Sequence, residues 1–115
     1  MSRVMGLHEI ELRPDVDSAE FERFYAEELA SVPMMPGWHV RLLKADRGAR
    51  AGKYAVLIEM ESEEARNRYF PVDGEASDEL GRFLKEHPDF DAAWQKADSF
   101  EVGAEVTTDY LVVSE

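Results

Sequence analysis

Apolar and polar positions alternate with a period of two in four segments of the chain. This alternation predicts four β-strands, because successive side chains of a strand point to opposite faces of a sheet. The four segments are residues 4–13 (VMGLHEIELR), 38–46 (WHVRLLKAD), 54–62 (YAVLIEMES) and 105–115 (EVTTDYLVVSE). Pro14 ends the first strand, because proline cannot donate a hydrogen bond to a neighbouring strand.

Between these strands, apolar residues recur at the spacing of a helix. One helix begins after Asp17, a second after Ser62 and a third after Ser77, since these side chains can cap free backbone N–H groups. The last helical region is interrupted at His87–Pro88. The side chains predicted to pack inward are Phe21, Phe24, Tyr25, Leu29, Val32, Ala65, Tyr69, Phe70, Leu80, Phe83, Leu84, Phe90, Ala93, Trp94 and Ala97.

The order of these elements is strand, helix, strand, strand, helical region, strand. This order predicts an α+β fold in which two βαβ units give a ferredoxin-like protomer. The four strands form one antiparallel sheet, and the first strand lies between the third and the fourth. The helices cover one face of this sheet, and the other face stays open unless a partner covers it.

Length and composition favour a single domain over residues 1–115. The sequence contains no cysteine, which excludes disulfides, thiolate catalysis and cysteine-based zinc sites. No apolar run reaches the roughly 18 residues of a membrane span, and the first residues do not resemble a signal peptide. We therefore expect a cytoplasmic protein that does not enter membranes.

The chain is strongly acidic, with 25 Asp and Glu against 13 Lys and Arg and a formal net charge of −12. This charge repels phosphate backbones and anionic lipid surfaces, so nucleic acid is not an expected partner. Two interpretations of the acidity stay open. It is either an adaptation to high salt, where self-repulsion is screened, or simply an acidic composition.

His8 is the residue of the first strand most suited to chemistry. It shares a face with Val4, Ile10 and Leu12, and this face is predicted to meet the helices. An imidazole that titrates near neutrality can act as a general base or hold a ligand. We take His8 as the candidate catalytic residue, the alternative being that it is a core histidine without a function in catalysis.

Acidic side chains occupy the opposite face of the predicted sheet. Glu9, Glu11, Glu59 and Asp109 are expected to lie close together there, with His39, Arg41 and Thr107 on the same face. Neighbouring carboxylates can form an acid–base or hard-cation site. The alternative is a solvated surface in which Arg41 offsets the charge. Leu7, Leu43, Leu57 and Leu111 are predicted on this face as well.

Four aromatic side chains are candidates for the wall of a pocket that binds a flat ligand. They are Trp38, Tyr54, Tyr69 and Trp94, and packing in the core is the alternative for each of them. No metal-ligand spacing such as HExxH and no glycine-rich phosphate loop is present. The sequence therefore predicts neither a metal nor a nucleotide.

Three segments of the chain are distinctive, namely HEIELRPDVDSAEF (8–21), Pro36–Gly37 and EHPDFDAAW (86–94). Through these segments and the order of its elements, the chain resembles the dimeric α/β-barrel superfamily, with its stress-responsive, EthD-like and antibiotic-biosynthesis-monooxygenase-like groups. The resemblance implies that two protomers pair their sheets around a shared barrel. Haem-degrading members have a haem-ligating His on the second helix, whereas SEEARNRYF contains Asn67 but no His. We therefore expect no cofactor.

Two functions remain open at this point. The first is a small-molecule-binding or stress-associated barrel protein without catalysis, working as a homodimer. The second is a cofactor-independent oxygenase, isomerase or lyase that acts on a small, partly aromatic metabolite. In the second case His8 is the base, and Trp38, Tyr54, Tyr69 and Trp94 shape the pocket.

Overall fold

The computed structural model describes residues 2–72, 75–102 and 106–114, and its centre is a four-stranded antiparallel sheet. The strands are β1 (Val4–Ile10), β2 (Trp38–Lys44), β3 (Tyr54–Met60) and β4 (Val106–Leu111). Their order across the sheet is β2-β3-β1-β4. The predicted ferredoxin-like fold is therefore confirmed, with β1 between β3 and β4 as expected.

The helices begin where the sequence predicted them. They are α1 (Ser18–Arg23), α2 (Glu63–Asn67), α3 (Asp78–Glu86) and α4 (Pro88–Ser99). The predicted caps of the first three are confirmed, because the side chains of Asp17, Ser62 and Ser77 each accept a hydrogen bond from a backbone N–H of the first turn. Pro88 starts α4 directly after His87, at the predicted interruption.

The first helix is less regular than its apolar stripe suggested. After α1 the chain forms a π-helical turn over Phe24–Glu28 and then a 3-10 turn over Leu29–Ser31. The wider π turn is closed by the backbone N–H of Leu29, which bonds to the carbonyl of Phe24. The stripe nevertheless faces inward, since Phe21, Phe24, Tyr25 and Leu29 are all buried.

The core lies between one face of the sheet and the helices. Val4, Ile10, Tyr54, Val56 and Met60 alternate along β1 and β3 and are all buried. They belong to two apolar clusters, one against α1 and the turns that follow it, and one against α3 and α4. The side chains between them in sequence, such as Leu7 and Leu57, face the side of the sheet without helices.

The first strand ends earlier than the alternation predicted. Regular pairing stops at Ile10, and beyond it Leu12 forms only an isolated bridge with Glu101. Glu11 therefore follows the strand rather than lying within it. None of the described helices has the length and apolar character needed to cross a membrane.

Candidate functional site

A pocket of about 630 Å³ lies between the sheet and the α2 region. We call it the sheet–helix pocket. Its apolar walls are Trp38, Ile58, Met60, Phe70, Pro71 and Val72. Its polar lining consists of His8, Arg66, Asn67, Thr107 and Asp109. A mainly apolar cavity of this size with a few convergent polar groups has the usual character of a small-molecule site.

His8 reaches this pocket from the middle of β1. It is half-buried, and the strand pairing puts it directly opposite Val56 of β3 and Thr107 of β4. Its Nδ1 atom lies 3.3 Å from the Thr107 hydroxyl oxygen, so Thr107 can hold the imidazole ring in place. His8 therefore lies on the helix-covered face of the sheet, together with Ile10.

Asp109 faces the same pocket, and its expected position was wrong. It is directly opposite Gly6 in the β1–β4 register, which places it on the face of His8 rather than on the face of Glu9. Thr107 and Leu111 are corrected in the same way, since they pair with His8 and Val4. All described residues of β4 are exposed, so no buried side of this strand fixed its orientation in the sequence pattern.

An ion pair joins the α2 side of the pocket to its β4 side. Arg66 Nη1 lies 3.1 Å from Asp109 Oδ2, and the Arg66 side chain is 26% exposed to solvent. Arg66 Nε also donates to the Asn67 side-chain oxygen at 3.0 Å. Arg66 is therefore held by two partners, and it in turn orients the Asp109 carboxylate.

Gly6 lies in β1 directly opposite Asp109. A Cβ atom at this position would lie 3.0 Å from Asp109 Oδ1, 3.5 Å from His8 Nε2 and 3.5 Å from Met60 Cε. Side chains from three strands therefore approach the backbone closely at this point, and a side chain at position 6 would crowd Asp109. A glycine inside a strand often marks such a close approach, and this was the available signal in the sequence.

The structure does not bring the four predicted aromatic residues together. Trp38 lines the sheet–helix pocket, and its indole nitrogen donates to the Ala65 carbonyl at 3.0 Å. Tyr69 is buried in the core, where its ring meets those of Trp38 and Phe83. Trp94 packs against Phe90 on α4. The aromatic prediction therefore places only Trp38 beside His8.

Tyr54 lies instead at an open groove of about 990 Å³ between β2 and the first helix, which Trp38 also lines. Its hydroxyl donates a hydrogen bond to the Glu22 carboxylate, and Lys44 approaches the same carboxylate at 3.5 Å. Burial and this hydrogen bond raise the pKa of Tyr54 above its ordinary value of 10.0. The hydrogen bond from Tyr54 lowers the pKa of Glu22 below 4.5. The hydrogen bond between Tyr54 and Glu22 therefore connects β3 to α1.

The carboxylates on or near the other face of the sheet are each matched by a basic side chain. The contacts are Arg41 with Glu59 at 2.8 Å, Lys53 with Glu11 at 2.8 Å and Arg50 with Glu9 at 3.5 Å. The Lys53 hydrogen bond lowers the pKa of Glu11 below its ordinary value of 4.5. Among the described residues, no group of three or more His, Asp or Glu is placed to hold a metal ion. This arrangement agrees with the alternative stated from the sequence, in which basic side chains such as Arg41 offset the acidic charge of this surface.

Solved structures of other proteins share this fold. A provisionally assigned antibiotic biosynthesis monooxygenase from Bordetella bronchiseptica has a TM-score of 0.62 and 15% identity, covering 99% of this chain and 100% of that chain. A DABB family protein with a ferredoxin-like fold from Mesorhizobium loti has a TM-score of 0.57 and 18% identity, covering 99% and 100%. A dimeric ferredoxin-like protein of unknown function from Bacteroides fragilis has a TM-score of 0.51 and 15% identity, covering 95% of each chain.

No protein-family model and no curated protein matches the chain. At these levels of identity, the likeness to solved structures shows the fold alone. The resemblance stated from the sequence is therefore supported at the level of the ferredoxin-like fold. The sheet–helix pocket has to be interpreted from its own residues.

Proposed function

We propose that this protein binds a small molecule in the sheet–helix pocket. The observation that carries the proposal is the convergence of polar side chains from β1, β4 and α2 in a cavity with otherwise apolar walls. His8, Arg66 and Asp109 come from three different elements, yet all three line this one pocket. Polar groups gathered in this way orient a ligand, while the apolar walls supply contact area.

The walls favour a compact ligand with a flat, apolar part. Trp38 and Phe70 lie with their ring centroids 5.8 Å apart on one side of the pocket, and Ile58 and Met60 belong to the sheet. A planar ring can pack against such surfaces without large conformational cost. The polar groups would then hold one or two oxygen or nitrogen atoms of the ligand.

We also propose that the protein works as a homodimer through the face of the sheet without helices. That face carries Leu43, Val106 and Tyr110, which are 39%, 63% and 55% exposed. A second copy of the same face would remove them from water. The dimeric ferredoxin-like protein from Bacteroides fragilis, which shares the fold, adds support to this arrangement. The absence of cysteine supports a cytoplasmic location for such an assembly.

A thermal-shift screen of small metabolites tests the binding function. A ligand that binds the folded protein raises its melting temperature in proportion to the logarithm of ligand concentration over Kd. The matched variants are Thr107→Trp in the pocket and Ala92→Trp, which adds the same side chain at an exposed position of α4. Thr107→Trp fills the pocket and should abolish the shift, whereas Ala92→Trp should retain it.

Two results would contradict the binding function. One is a screen in which no compound stabilises the protein. The other is a set of ligands whose stabilising effect survives Thr107→Trp unchanged, because such ligands bind elsewhere on the protein. In both cases the sheet–helix pocket would lose its proposed role.

A cofactor-independent enzyme is the second candidate, and the position of His8 favours it. The imidazole of His8 lines the pocket, where it can act as a general base toward a bound substrate. The test incubates each ligand from the screen with the protein and follows its mass and absorption spectrum. Conversion that His8→Ala abolishes supports catalysis, and ligands that stay unchanged with the wild-type protein favour binding alone.

A further inference from the structure

The sheet–helix pocket and the open groove between β2 and the first helix, which we call the β2 groove, meet at one side chain. Among the residues that the structure describes, Trp38 alone lines both cavities, whose volumes are about 630 Å³ and 990 Å³. Trp38 begins β2, an edge strand of the sheet, and packs into the core on the helix-covered face. It is 6% exposed, so its ring occupies the space between the two cavities rather than projecting from the surface.

Three contacts hold the Trp38 ring in this position. Its indole nitrogen donates to the Ala65 carbonyl at 3.0 Å, and its ring centroid lies 6.1 Å from that of Tyr69 and 5.8 Å from that of Phe70. A buried tryptophan with a satisfied N–H group and close aromatic neighbours has little freedom to change its rotamer. The ring is therefore a fixed wall rather than a gate that swings open.

The polar groups of the sheet–helix pocket lie toward the end away from Trp38. Thr107 and Asp109 belong to β4, and the strand order β2-β3-β1-β4 puts β4 at the opposite edge of the sheet from β2. Arg66 bonds to Asp109 and therefore belongs to this polar end as well. A ligand whose polar atom lies at this end extends its apolar part toward Trp38.

We propose that Trp38 sets the maximum length of the ligand by closing the sheet–helix pocket against the β2 groove. This inference rests on the proposed binding function and narrows the ligand class to a flat, apolar ring with one polar end and no long tail. Removal of most of the Trp38 side chain would join the two cavities and let a tail pass into the groove. The groove suits such a tail, because its lining includes Tyr25, Leu29 and Val40.

A series of para-alkylphenols, from p-cresol to p-octylphenol, measures this length limit by titration calorimetry. All members share a flat ring and one polar end, and only the length of the tail differs. In the wild type, affinity should rise about fourfold for each buried methylene group and should stop rising once the tail meets Trp38. Thr107→Trp fills the pocket and should abolish binding of the short members, which locates them there.

Trp38→Leu tests the wall directly. In this variant, affinity should continue to rise for tails longer than the wild-type limit. Trp94→Leu is the matched control, because Trp94 is on α4 and lines neither cavity, so this variant should keep the wild-type limit. A general loss of stability would weaken binding of every member alike and would not move the limit. Trp38→Phe removes less of the ring, should move the limit by less, and serves as the test if Trp38→Leu does not fold.

Ala26→Trp shows whether a tail reaches the β2 groove. Ala26 is exposed and lines the groove but not the sheet–helix pocket. In the wild-type background, this change should alter no affinity in the series, because Trp38 keeps the tail out of the groove. In the Trp38→Leu background, it should return the length limit toward that of the wild type.

The outcomes separate the length limit from the binding function. If the wild-type affinity rises through p-octylphenol, or if Ala26→Trp weakens the long members while Trp38 is present, tails already enter the groove and Trp38 does not close the pocket. The same conclusion follows if neither Trp38 variant moves the limit. If no member binds, or if the short members still bind to Thr107→Trp, the binding function fails for this ligand class, and the length limit fails with it.

Discussion

The indole nitrogen of Trp38 donates a hydrogen bond to the carbonyl oxygen of Ala65 at 3.0 Å. This bond joins the start of β2 to α2, and both side chains are buried. The same indole ring forms a wall of the sheet–helix pocket. Trp38 therefore couples the position of α2, which carries Arg66 and Asn67, to the sheet that carries His8.

Replacing Trp38 should cost more stability than replacing Trp94. Trp38→Phe leaves the buried carbonyl of Ala65 without its donor, which costs about 1–3 kcal/mol, and it leaves a small cavity as well. Trp94→Phe removes a buried indole N–H that has no partner among the described residues, so a smaller loss of about 1 kcal/mol or less is expected. Urea denaturation of both variants gives the two free energies of unfolding. Equal losses would contradict the structural role of the Trp38 bond.

The hydrogen bond from Tyr54 to Glu22 should make stability depend on pH. The folded state lowers the pKa of Glu22 below 4.5, so this contribution is present above that value and is lost as the pH falls through the folded pKa. The pKa of Tyr54 is raised above 10.0, so its contribution is lost only at higher alkaline pH. Tyr54→Phe should therefore be less stable than wild type near neutrality, and the difference should shrink in acid.

Denaturant unfolding between about pH 3 and pH 8 measures this difference between wild type and Tyr54→Phe. Tyr69→Phe is the matched control, because the Tyr69 ring packs against Trp38 and Phe83, and its hydroxyl bonds to no acidic side chain among the described residues. The control should follow the wild-type pH dependence throughout. A Tyr54→Phe difference that stays constant across the acid range would show that Glu22 does not titrate through this bond.

The sequence predicted which side chains of β1 and β3 face the helices, because the apolar side chains of these strands must be buried. Val4, Ile10 and Met60 must face the core, and the residues between them must then face the other way. The capping residues were predictable for a similarly local reason, since a side-chain oxygen at that position satisfies backbone groups a few residues away. Both inferences depend only on neighbouring residues in the chain.

The polar side of the pocket could not be predicted in this way. Asp109 belongs to a strand whose described residues are all exposed, and a shift of one residue reverses every side chain of such a strand. Arg66 reaches Asp109 across 43 positions of sequence, and Arg50 donates to the carbonyls of Ile10 and Tyr54 from the loop between β2 and β3. These contacts depend on the register between strands and on tertiary packing.

The open face of the sheet should form a dimer interface. Leu7 and Leu57 lie directly opposite each other on this face, close to the middle of the sheet. Light scattering coupled to size exclusion should give about twice the chain mass of 13.1 kDa. Leu57→Arg should shift the protein to the monomer mass, because a charge in a packed interface without a partner is strongly unfavourable.

Ala92→Arg controls for the added charge in this experiment. Ala92 is exposed on α4, on the side of the sheet that carries the helices. This variant should keep the dimer mass while Leu57→Arg loses it. A wild-type protein that is monomeric at high micromolar concentration would contradict the barrel arrangement.

Salt should stabilise the protein through screening of its acidic charge. The net charge of −12 makes self-repulsion large at low ionic strength, and a dimer carries twice that charge. The melting temperature should therefore continue to rise as potassium chloride increases beyond about 0.1 M. Screening also weakens exposed ion pairs such as Arg41–Glu59, but each of these contributes little. A flat or falling curve would favour a merely acidic protein over salt adaptation.

The two faces of β1 should respond differently to mutation. His8 faces the sheet–helix pocket, whereas Glu9 pairs with Arg50, and Glu11 beyond the strand end pairs with Lys53. His8→Ala should weaken ligand binding in the thermal-shift assay and leave the dimer mass unchanged. The combined change Glu9→Gln with Glu11→Gln should keep ligand binding and alter dimer stability.

The combined change should also alter how stability depends on pH. Lys53 lowers the pKa of Glu11 below 4.5, so its contribution to stability is present above that value and is lost as the pH falls through the folded pKa. Glutamine cannot titrate, so the double variant should lose less stability in acid than the wild type does. The measurement is denaturant unfolding at several pH values, with light scattering at each. If the double variant weakens ligand binding as strongly as His8→Ala, the two faces are not independent, and the assignment of His8 to the pocket alone is wrong.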